Sequence, residues 1–509
     1  MGDIKVERIA IIDLGSNTAR LLLVDVMENG HFYIVDQLKE TPRLGEGMER
    51  DGFLKPARMH ETINTLKMFR KLCDVNNIER IIAVATAAVR RAKNQRSFLD
   101  EVSATCGIKL KVLSAEEEAM LVYRGVINSM DIPKGLILEI GGGSTKIVYY
   151  NRRNLLNYAT LPFGAITLTE LFANDGLSPE EQTAKIEEFF TEQLKQIDWL
   201  KDVDPEVQMI GAGGSFRNLC RMTKIMKKYP LKTIHNYVLD DNDFNHVYNL
   251  LKGLDLDRKK KIKGLSSGRA DILPSALAVA SSLKKYLNLG SIVISGSGLR
   301  TGLMFNYSNP STVDKSISDT LLFSLNSLVD FYGCNVQHVE QVVSLSVQLF
   351  KQLRVLHKFP RQYLKILKVA SYLYDSGKRI GLYNFEKNSA YIILNSNING
   401  ISHRDLVMAS FVVACTGIDD INQQDWARYK ELVTDEDMDA VRKMGIMLRI
   451  ANSLDRSLSS VIKGIHCDIL GDSVIMKTEV EGDATLEINS AIQVGADFRK
   501  IFKKNLEIL

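Results

Sequence analysis

The sequence predicts an α/β protein with two related domains that face a cleft, followed by a helical domain and a small α+β segment. Two features carry this prediction. Residues 9–13 form an apolar segment that ends on an acid and enters a Gly/Ser turn, and residues 136–145 repeat that succession. An internal repeat of this kind indicates duplicated structural units. After residue 309 the apolar residues recur with helical spacing, and few strand patterns remain.

A chain of 509 residues is too long for one hydrophobic core. The patterns place four domains, at residues 1–130, 131–308, 309–465 and 466–509. In the last of these, residues 474–476 and 485–488 alternate like short strands, and an amphipathic helix follows.

The first domain opens on a buried strand whose return strand follows after a connection too short for a helix. Its strands are expected at residues 9–13, 21–26, 81–85 and 109–114. A helix then begins at Ser114, because Ser114 and Glu117 have the spacing of a capping box. The second domain repeats the hairpin with strands at residues 136–140 and 147–150.

Composition excludes several classes of protein. The apolar fraction of 45% and the charged fraction of 25% are those of a soluble globular chain. A net charge of +4 is too small to indicate a nucleic-acid binder, and no apolar run is long enough to span a membrane. The six cysteines are widely spaced and residues 1–5 lack a signal-peptide pattern, so we expect a reducing, cytoplasmic location.

Two basic segments stand out from this average composition. One is the run at residues 258–263, and the other is a set of six lysines and arginines between residues 351 and 368 on a predicted helix. A solvated helix face is the simplest interpretation of each. Several basic segments in one chain also fit a polyanionic ligand.

Two glycine-rich loops are the strongest candidates for a binding site. Backbone N–H groups that converge in such loops bind phosphate, glycine permits close approach, and hydroxyls add donors. The alternative is a pair of tight turns without a ligand, but each loop directly follows an acid that ends a buried strand. The predicted phosphate-binding residues of the loops are Asp13, Gly15, Ser16, Asn17 and Thr18, and Gly141, Gly142, Gly143, Ser144 and Thr145.

Several motifs in a fixed order closely resemble the exopolyphosphatase / guanosine pentaphosphate phosphohydrolase family, a branch of the actin-like (ribonuclease H-like) ATPase fold. They are residues 13–18, 43–47, 86–90, 117–119 and 141–145, with further matches at 211–215, 269–271 and 298–300. The resemblance covers the first two predicted domains and continues more weakly to the C-terminus.

The resemblance implies roles for two charged side chains. Arg90 would clamp phosphate with its guanidinium; the alternative is a surface salt bridge. Glu118 matches the family's glutamate before alanine, and as general base it would orient or deprotonate the attacking water. The alternative, a solvated acid at a helix start, is the interpretation we prefer for the neighbouring Glu117.

Two positions depart from the family pattern. Glu139 stands where the family has aspartate, and Lys146 stands where the family has an acid that helps to hold a divalent cation. Protonated lysine is no ligand for Mg²⁺, but its ammonium would be a fixed positive charge beside the phosphates. Asp13 and Glu139 are therefore the candidate ligands for Mg²⁺ or Mn²⁺.

The helical region resembles the HD-type domain of longer family members but lacks most of its metal ligands. His338, Asp375 and Asp455 are present, whereas Tyr374 replaces a histidine and residues 384–389 contain none. Two or three ligands do not make that site, so we expect a metal-free domain in which His338 is a hydrogen-bonded core residue.

The leading hypothesis is an exopolyphosphatase that releases terminal phosphate from inorganic polyphosphate, working as the homodimer known for the family. One alternative is hydrolysis of the 5′ γ-phosphate of guanosine pentaphosphate. Another is a catalytically weakened protein that binds polyphosphate or a guanine alarmone, which Lys146 would favour. An actin-like kinase or ATPase is a third class, against which the Glu118 motif argues.

Overall fold

The computed structural model describes residues 6–173, 176–313, 316–415 and 422–509. The signal-peptide comparison made on residues 1–5 therefore lies outside the described residues. Contacts divide the chain into two compact units, Met1–Tyr229 with Ile234–Thr320, and Pro230–Thr233 with Leu321–Leu509. The four-domain division stays a prediction.

The first unit contains two sheets and the helices that cover them. Its strands are β1 (Val6–Leu14), β2 (Ala19–Met27), β3 (Phe32–Glu40), β4 (Arg80–Ala85), β5 (Leu110–Val112), β6 (Lys134–Ile140), β7 (Thr145–Asn151), β8 (Asn154–Leu161), β9 (Gln208–Ala212), β10 (Tyr237–Leu239) and β11 (Ile292–Ile294). Its helices are α1 (Pro56–Val75), α2 (Ala87–Arg91), α3 (Gln95–Cys106), α4 (Ala115–Ile127), α5 (Ala165–Leu171), α6 (Pro179–Lys195), α7 (Gly213–Met226), α8 (Asp241–Lys252), α9 (Leu256–Lys260), α10 (Leu273–Leu287) and α11 (Leu299–Ser308).

The two sheets repeat one topology. The first has the order β3-β2-β1-β4-β5, and the second has the order β10-β11-β9-β6-β7-β8. In each, a central strand pairs antiparallel with its hairpin partner and parallel with the next strand, as β1 does with β2 and β4, and β6 with β7 and β9. The predicted fold class and the predicted internal repeat are confirmed.

Helices α4 and α11 lie between the two sheets. Ala119, Val122 and Val126 of α4 pack against the second sheet, whereas Leu121 of α4 and Leu303 of α11 pack against the first. The buried side chains on several faces of α4 explain why its sequence is apolar beyond its acidic first turn. This layer fixes α4, and with it the acids at its start, relative to both sheets.

Glycines let α4 and α11 approach each other closely. A Cβ built on Gly302 would lie 2.0 Å from the carbonyl oxygen of Leu121, and one on Gly125 would lie 2.1 Å from that of Gly298. We expect Gly302→Ala to destabilise the first unit by about 3 kcal/mol, because backbone atoms cannot move aside as a flexible side chain can. Trp199 is the single tryptophan of this unit, so its fluorescence in a Trp426→Phe background follows the unit's unfolding in urea.

Gly290→Ala is the matched control. A Cβ at Gly290 meets no atom within 4 Å, and its backbone lies outside the positive-φ region. Its unfolding midpoint should equal that of the parent. An unchanged midpoint in Gly302→Ala would mean that the helices move apart at little cost.

The second unit is helical with a small sheet. Its helices are α12 (Thr320–Tyr332), α13 (Val336–Gln352), α14 (Arg354–His357), α15 (Tyr363–Leu373), α16 (Phe385–Asn395), α17 (His403–Ala414), α18 (Gln423–Tyr429), α19 (Asp435–Ser453), α20 (Thr485–Ile492) and α21 (Gly495–Phe502). Its strands β12 (Ile462–Leu470), β13 (Ser473–Val480) and β14 (Asn505–Ile508) form one sheet in that order.

The basic residues between 351 and 368 do not share one helix, so that prediction is wrong. Lys351 lies in α13, Arg354 in α14, and Lys365 and Lys368 in α15, whereas Lys358 and Arg361 lie in the connection between α14 and α15. Lys358 has a left-handed backbone with φ 58° and caps α14, and Pro360 follows within two residues. Proline lacks the N–H that a continuing helix requires, so the chain turns there.

The predicted strand at residues 485–488 is also wrong, because these residues begin α20. Four alternating residues fit a strand or one helical turn equally well. Asp483 accepts hydrogen bonds from the Thr485 N–H, at 2.9 Å, and from its hydroxyl, which starts the helix. Glu487 is 1% exposed, and its carboxylate accepts from the Ser457 N–H at 2.9 Å. The strand at 474–476 is confirmed within β13.

Two further findings concern the chain as a whole. None of the described helices has the length and apolar character needed to cross a membrane. The six cysteines all lie in the described ranges and form no disulfide there.

Candidate functional site

The two glycine-rich loops have the same backbone turn. The Gly15 N–H donates to the Thr18 carbonyl at 3.0 Å, and the Gly141 N–H donates to the Ser144 carbonyl at 2.9 Å. Each loop joins a strand to its antiparallel partner, as the sequence predicts. The repeat therefore extends from the sheets to the loops themselves.

The loops touch each other at their tips. A Cβ on Gly142 would lie 2.9 Å from Ser16 Cβ, and one on Gly143 would lie 2.8 Å from Ser16 Oγ. Only glycine leaves room for this approach. The structure thus brings together two loops that are separated by more than a hundred residues in the sequence.

Neighbouring segments bind the loop carbonyls and leave several loop N–H groups unused. The Ser16 carbonyl accepts from the Gly45 N–H at 2.9 Å, and the Gly142 carbonyl accepts from the Ile166 N–H at 2.8 Å. Within the described ranges, no acceptor receives the backbone N–H of Ser16, Asn17, Gly142 or Gly143. Unused N–H groups gathered in glycine-rich turns form an anion-binding concavity.

The loop hydroxyls differ in what they can offer a ligand. Thr145 is fully buried, and its Oγ1 donates to the Phe163 carbonyl at 2.7 Å. Ser16 and Ser144 are buried as well, but Ser16 Oγ lies at the contact between the loops. Ser16 is therefore better placed than Thr145 to donate to a bound anion.

Glu118 and Glu117 lie in the first turn of α4 and face different surroundings. The Glu117 carboxylate accepts from the Ser114 N–H at 2.9 Å and completes the predicted capping box. Its pKa is lowered, chiefly by its hydrogen bond to Lys111 and then by that of the Ser114 N–H. The side chain of Glu118 is 5% exposed and binds two cations. Glu117 is thus a structural helix-start acid, as we expected.

A buried lysine joins the two acidic positions singled out in the sequence. Lys146 Nζ lies 2.8 Å from Glu139 Oε2 and also bonds Glu118 Oε1. Burial alone would lower the pKa of Lys146, but the negative charges of Glu118 and Glu139 outweigh it and raise that pKa above its ordinary value. Lys146 therefore stays protonated.

Arg90 completes the arrangement around Glu118. Its Nη1 lies 3.0 Å from Glu118 Oε2 and 2.8 Å from the Leu113 carbonyl oxygen. Its side chain is partly exposed. Arg90 is thus neither a surface salt bridge nor, in the ligand-free protein, a free clamp, since one nitrogen already holds the carboxylate of Glu118.

A cluster of six cations lies beside the loops, and we call it the cationic cluster. Two members lie on strands of the first sheet and four on helices or a turn: Arg20 (β2), Lys39 (β3), Arg217 and Arg221 (α7), Arg269 (the turn Ser267–Arg269) and Arg300 (α11). Arg217 and Arg221 are four residues apart on one helix, so they share a face. Loss of hydration and repulsion by neighbouring arginines lower the pKa of Arg20, Lys39, Arg217, Arg269 and Arg300.

Several pKa values in the cluster are lowered by burial and by this repulsion. Burial and the charge of Arg20 lower the pKa of Arg269 and of Arg300 to about 10. Burial and four neighbouring arginines lower the pKa of Arg217 well below its ordinary value. The same two causes lower the pKa of Lys39 to about 8. The ligand-free protein thus holds positive charge in excess of its local counter-charges.

Asp13 is the acid of the first loop and lies next to this cluster. Its pKa is raised, mainly by burial and further by the charges of Glu118 and Glu139, against the opposing effect of Arg300 and Arg20. The raised pKa means that the nearby arginines do not fully offset the cost of burying the ionised carboxylate of Asp13. A cation or a hydrogen-bond donor on a ligand would stabilise the ionised form further.

The sequence motifs led to only part of the cluster. Arg269 and Arg300 lie in motifs that match the family, although no role was assigned to them, and Arg20, Lys39, Arg217 and Arg221 were missed. Arg20 offered one signal, because it is a charged residue directly after the loop in an otherwise apolar strand. The others come together only through the fold.

A divalent cation would need oxygen ligands, and we tested which carboxylates remain for it. Both oxygens of Glu118 bond to cations already, and one oxygen of Glu139 bonds to Lys146. No group of three histidine, cysteine or carboxylate side chains is arranged to hold a metal within the described parts of the chain. Asp13 and the second oxygen of Glu139 remain, and Mg²⁺ commonly binds one or two carboxylates together with substrate phosphates.

His338 of the second unit lies in a buried polar cluster, as predicted. Its Nδ1 is 2.7 Å from Asp455 Oδ2, and its Nε2 is 3.2 Å from Asn452 Oδ1. Asp375 Oδ2 lies 2.6 Å from Lys378 Nζ. The ring nitrogens thus have protein partners, which fits a hydrogen-bonded core histidine.

Comparison with known proteins gave consistent matches. A model described as the Ppx/GppA phosphatase family matches residues 23–309, and one described as Ppx/GppA phosphatase, domain III, matches residues 323–491. The chain is 27% identical over 404 residues to a guanosine-5'-triphosphate,3'-diphosphate pyrophosphatase of Aliivibrio fischeri, with 77% of each chain covered. It is 29% identical over 299 residues to a bifunctional 3-dehydroquinate synthase/phosphatase of Fusobacterium nucleatum, covering 56% of this chain and only 44% of that relative.

A solved structure also matches the first part of the chain. An exopolyphosphatase from Cytophaga hutchinsonii superposes with a TM-score of 0.56 at 26% sequence identity. The match covers 98% of that protein and 60% of this chain.

Proposed function

Because the chain belongs to the Ppx/GppA phosphatase family, we propose that it is an exopolyphosphatase, which releases orthophosphate from the end of inorganic polyphosphate. One observation carries the proposal. Unused N–H groups of two touching loops lie beside a cluster of six cations, in which burial and neighbouring arginines lower the pKa of Lys39 and of Arg217. Such a site favours a ligand with several negative charges over a single phosphate.

The proposed assignment of residues follows the geometry. The terminal phosphates are held by the unused backbone N–H groups of the two loops, those of Ser16, Asn17, Gly142 and Gly143, with Ser16 Oγ as a further donor. The arginines of the cationic cluster neutralise charge on the phosphate oxygens. Arg90 and Lys146 act indirectly, because both hold the carboxylate of Glu118 in place.

The reaction needs a water molecule in line with the bond to be broken. Glu118 orients this water and accepts one of its protons as the oxygen attacks the terminal phosphorus. The phosphorus–oxygen bond to the rest of the chain breaks, and its electron pair leaves on the new chain end. The products are orthophosphate and a polyphosphate one unit shorter.

A divalent cation, Mg²⁺ or Mn²⁺, would be held by Asp13 and Glu139 together with phosphate oxygens, and would neutralise further charge on the phosphates. The raised pKa of Asp13 supports this placement, because an added cation would offset the burial of that carboxylate. Among the residues that the structure describes, Glu139 is the one other candidate ligand beside Asp13, so we propose that the cation arrives with the substrate.

We favour polyphosphate over guanosine pentaphosphate as the substrate because of the charge distribution in the second unit. Residues 341–374 contain no aspartate or glutamate, although six lysines and arginines lie there. A long anion gains from such a surface. The guanine nucleotide remains the second candidate, because the relatives named for its hydrolysis match both units of the chain.

The proposal also covers the oligomeric state, the location and the partners of the protein. A homodimer in the cytoplasm, with neither nucleic acid nor membrane as a partner, is consistent with a near-neutral chain whose widely spaced cysteines form no disulfide in the described ranges.

The decisive experiment measures phosphate release from long-chain polyphosphate and from guanosine pentaphosphate, each with Mg²⁺, with Mn²⁺ and with EDTA. We expect faster release from polyphosphate, and faster release with either cation than with EDTA. Faster release from the nucleotide would replace the proposal by the second candidate. Tight binding of polyphosphate without release from either substrate would make the cleft a sensor.

Binding should depend on pH through Lys39. The pKa of its ammonium in the free protein is about 8, and only the protonated form attracts an anion. Affinity for polyphosphate should therefore be greatest below that pH and fall above it, by up to about tenfold per pH unit. Titrations between about pH 7.5 and about pH 9.5 would measure this slope.

Lys39→Arg is the control, since guanidinium stays charged throughout this range. Its affinity should change less than that of the parent, and ionisation of polyphosphate itself affects both proteins equally. Equal slopes in the two proteins would exclude Lys39 as the titrating group.

A further inference from the structure

Lys146 occupies a position created by the second hairpin and by α4. It is paired across β6 and β7 with Glu139 in the strand register, and its side chain is 2% exposed. From there Nζ reaches Glu118 at the start of α4. Three elements thus converge on one ammonium group.

The contacts of this ammonium are those of a small bound cation. It lies between two carboxylates, 2.8 Å from Glu139 Oε2 and in contact with Glu118 Oε1. The other oxygen of Glu118 is 3.0 Å from Arg90 Nη1. A metal ion between Glu118 and Glu139 would meet a like charge and carboxylate oxygens that are already bound.

We propose that the Lys146 ammonium is the resident cation of the Glu118–Glu139 pair, and that it excludes divalent metal from the space between them. This inference rests on the proposed function for the role of Glu118. Lys146 is a positioning residue, because it acts by fixing the charge and orientation of the carboxylate that meets the water. The cation proposed between Asp13 and Glu139 would use the other carboxylate oxygen of Glu139 and would depend on phosphate oxygens.

Two features support a permanent cation here. A buried ion pair keeps both charges when each has a close partner, and this buried ammonium has two carboxylate partners. The orientation of Glu118 is also held from both sides, by Lys146 and by Arg90. The ligand-free site is therefore already assembled, without a metal between the two glutamates.

The test is a titration of the substrate-free protein with Mn²⁺, in which electron paramagnetic resonance counts the unbound ion. Wild type should bind no Mn²⁺ with appreciable affinity. Lys146→Glu replaces the ammonium by a third carboxylate, so it should bind one Mn²⁺ per chain at least about tenfold more tightly than wild type. The ratio of its turnover with Mn²⁺ to its turnover with EDTA should also be at least about tenfold larger than the same ratio in wild type.

Two variants serve as controls. Lys146→Gln removes the ammonium without adding a carboxylate, and Lys109→Glu makes the same charge change at an exposed position of the first unit. Lys146→Gln should bind Mn²⁺ more tightly than wild type but less tightly than Lys146→Glu, because the excluding cation is gone and two carboxylates remain, whereas Lys109→Glu should bind it no more tightly than wild type. If Lys109→Glu gained the same affinity as Lys146→Glu, net charge alone would explain the effect and the inference would fail.

Wild type decides the question even if Lys146→Glu does not fold, as circular dichroism would reveal. One tightly bound Mn²⁺ per wild-type chain would overturn the inference, and the lack of one would support it. The titration contains no phosphate substrate, so its outcome is independent of the substrate assignment. Failure to hydrolyse polyphosphate would refute the proposed function and leave this result standing.

Discussion

Glu118→Gln should lower the turnover of polyphosphate by at least about a hundredfold, which is the lower end of what a general base contributes. The amide can still accept a hydrogen bond from Lys146, but it cannot take a proton from water. It also presents an NH₂ group that cannot pair with Arg90 in the same way. The measurement is phosphate release at saturating polyphosphate, with the dissociation constant determined separately.

The affinity of this variant should stay within about threefold of wild type or improve, because a negative charge near the phosphates has been removed. Glu117→Gln is the matched control. Glu117 is the neighbouring acid on the same turn, and glutamine also completes a capping box, so its turnover should equal that of wild type. Wild-type turnover in Glu118→Gln would remove Glu118 from the mechanism.

Arg217→Met should have opposite effects on stability and on binding. Burial and four neighbouring arginines lower the pKa of Arg217, so its charge opposes folding of the ligand-free protein. Its Nη1 donates a hydrogen bond to the Gly296 carbonyl at 3.1 Å. Methionine keeps much of the apolar stem and removes the charge, so the free variant should melt about 2 °C or more above wild type.

Polyphosphate should bind this variant about tenfold to a hundredfold more weakly, as expected for the loss of a charged hydrogen bond to phosphate. Thermal unfolding without ligand and a binding titration at fixed ionic strength measure the two effects. Lys261→Met, at an exposed basic residue of the first unit, should change neither. A variant that is both less stable and weaker in binding would mean that Arg217 is mainly a packing residue.

The opposite signs expected for Arg217→Met reflect how the site is built. Like charges held together without a ligand cost stability, and the ligand restores it. The same physical condition explains why the cluster is visible in the depressed pKa values of Lys39, Arg269 and Arg300. Binding sites for polyanions are thus recognisable in a ligand-free protein by repulsion among their own residues.

Sequence patterns were sufficient to predict the local structure that surrounds the site. Apolar runs ending at Asp13 and Glu139, each followed by a glycine-rich turn, led to the correct hairpins because a short connection allows only an antiparallel partner. Ser114 and Glu117 located the start of α4 because a capping box is a contact within four residues. Each of these predictions depends on interactions between residues close in sequence.

Which charged side chains contact one another depends on the tertiary structure and could not be predicted from the sequence. Lys146 was expected beside phosphates, yet its ammonium lies between Glu118 and Glu139, and this pairing requires α4 to pack on the second sheet. Arg20, Lys39, Arg217 and Arg221 join Arg269 and Arg300 from distant elements, and no spacing in the sequence brings them together. The buried Glu487 of α20 likewise finds its partner, the Ser457 N–H, in an earlier segment of the chain. Local patterns set the elements, whereas electrostatic partners are set by packing between elements far apart in the chain.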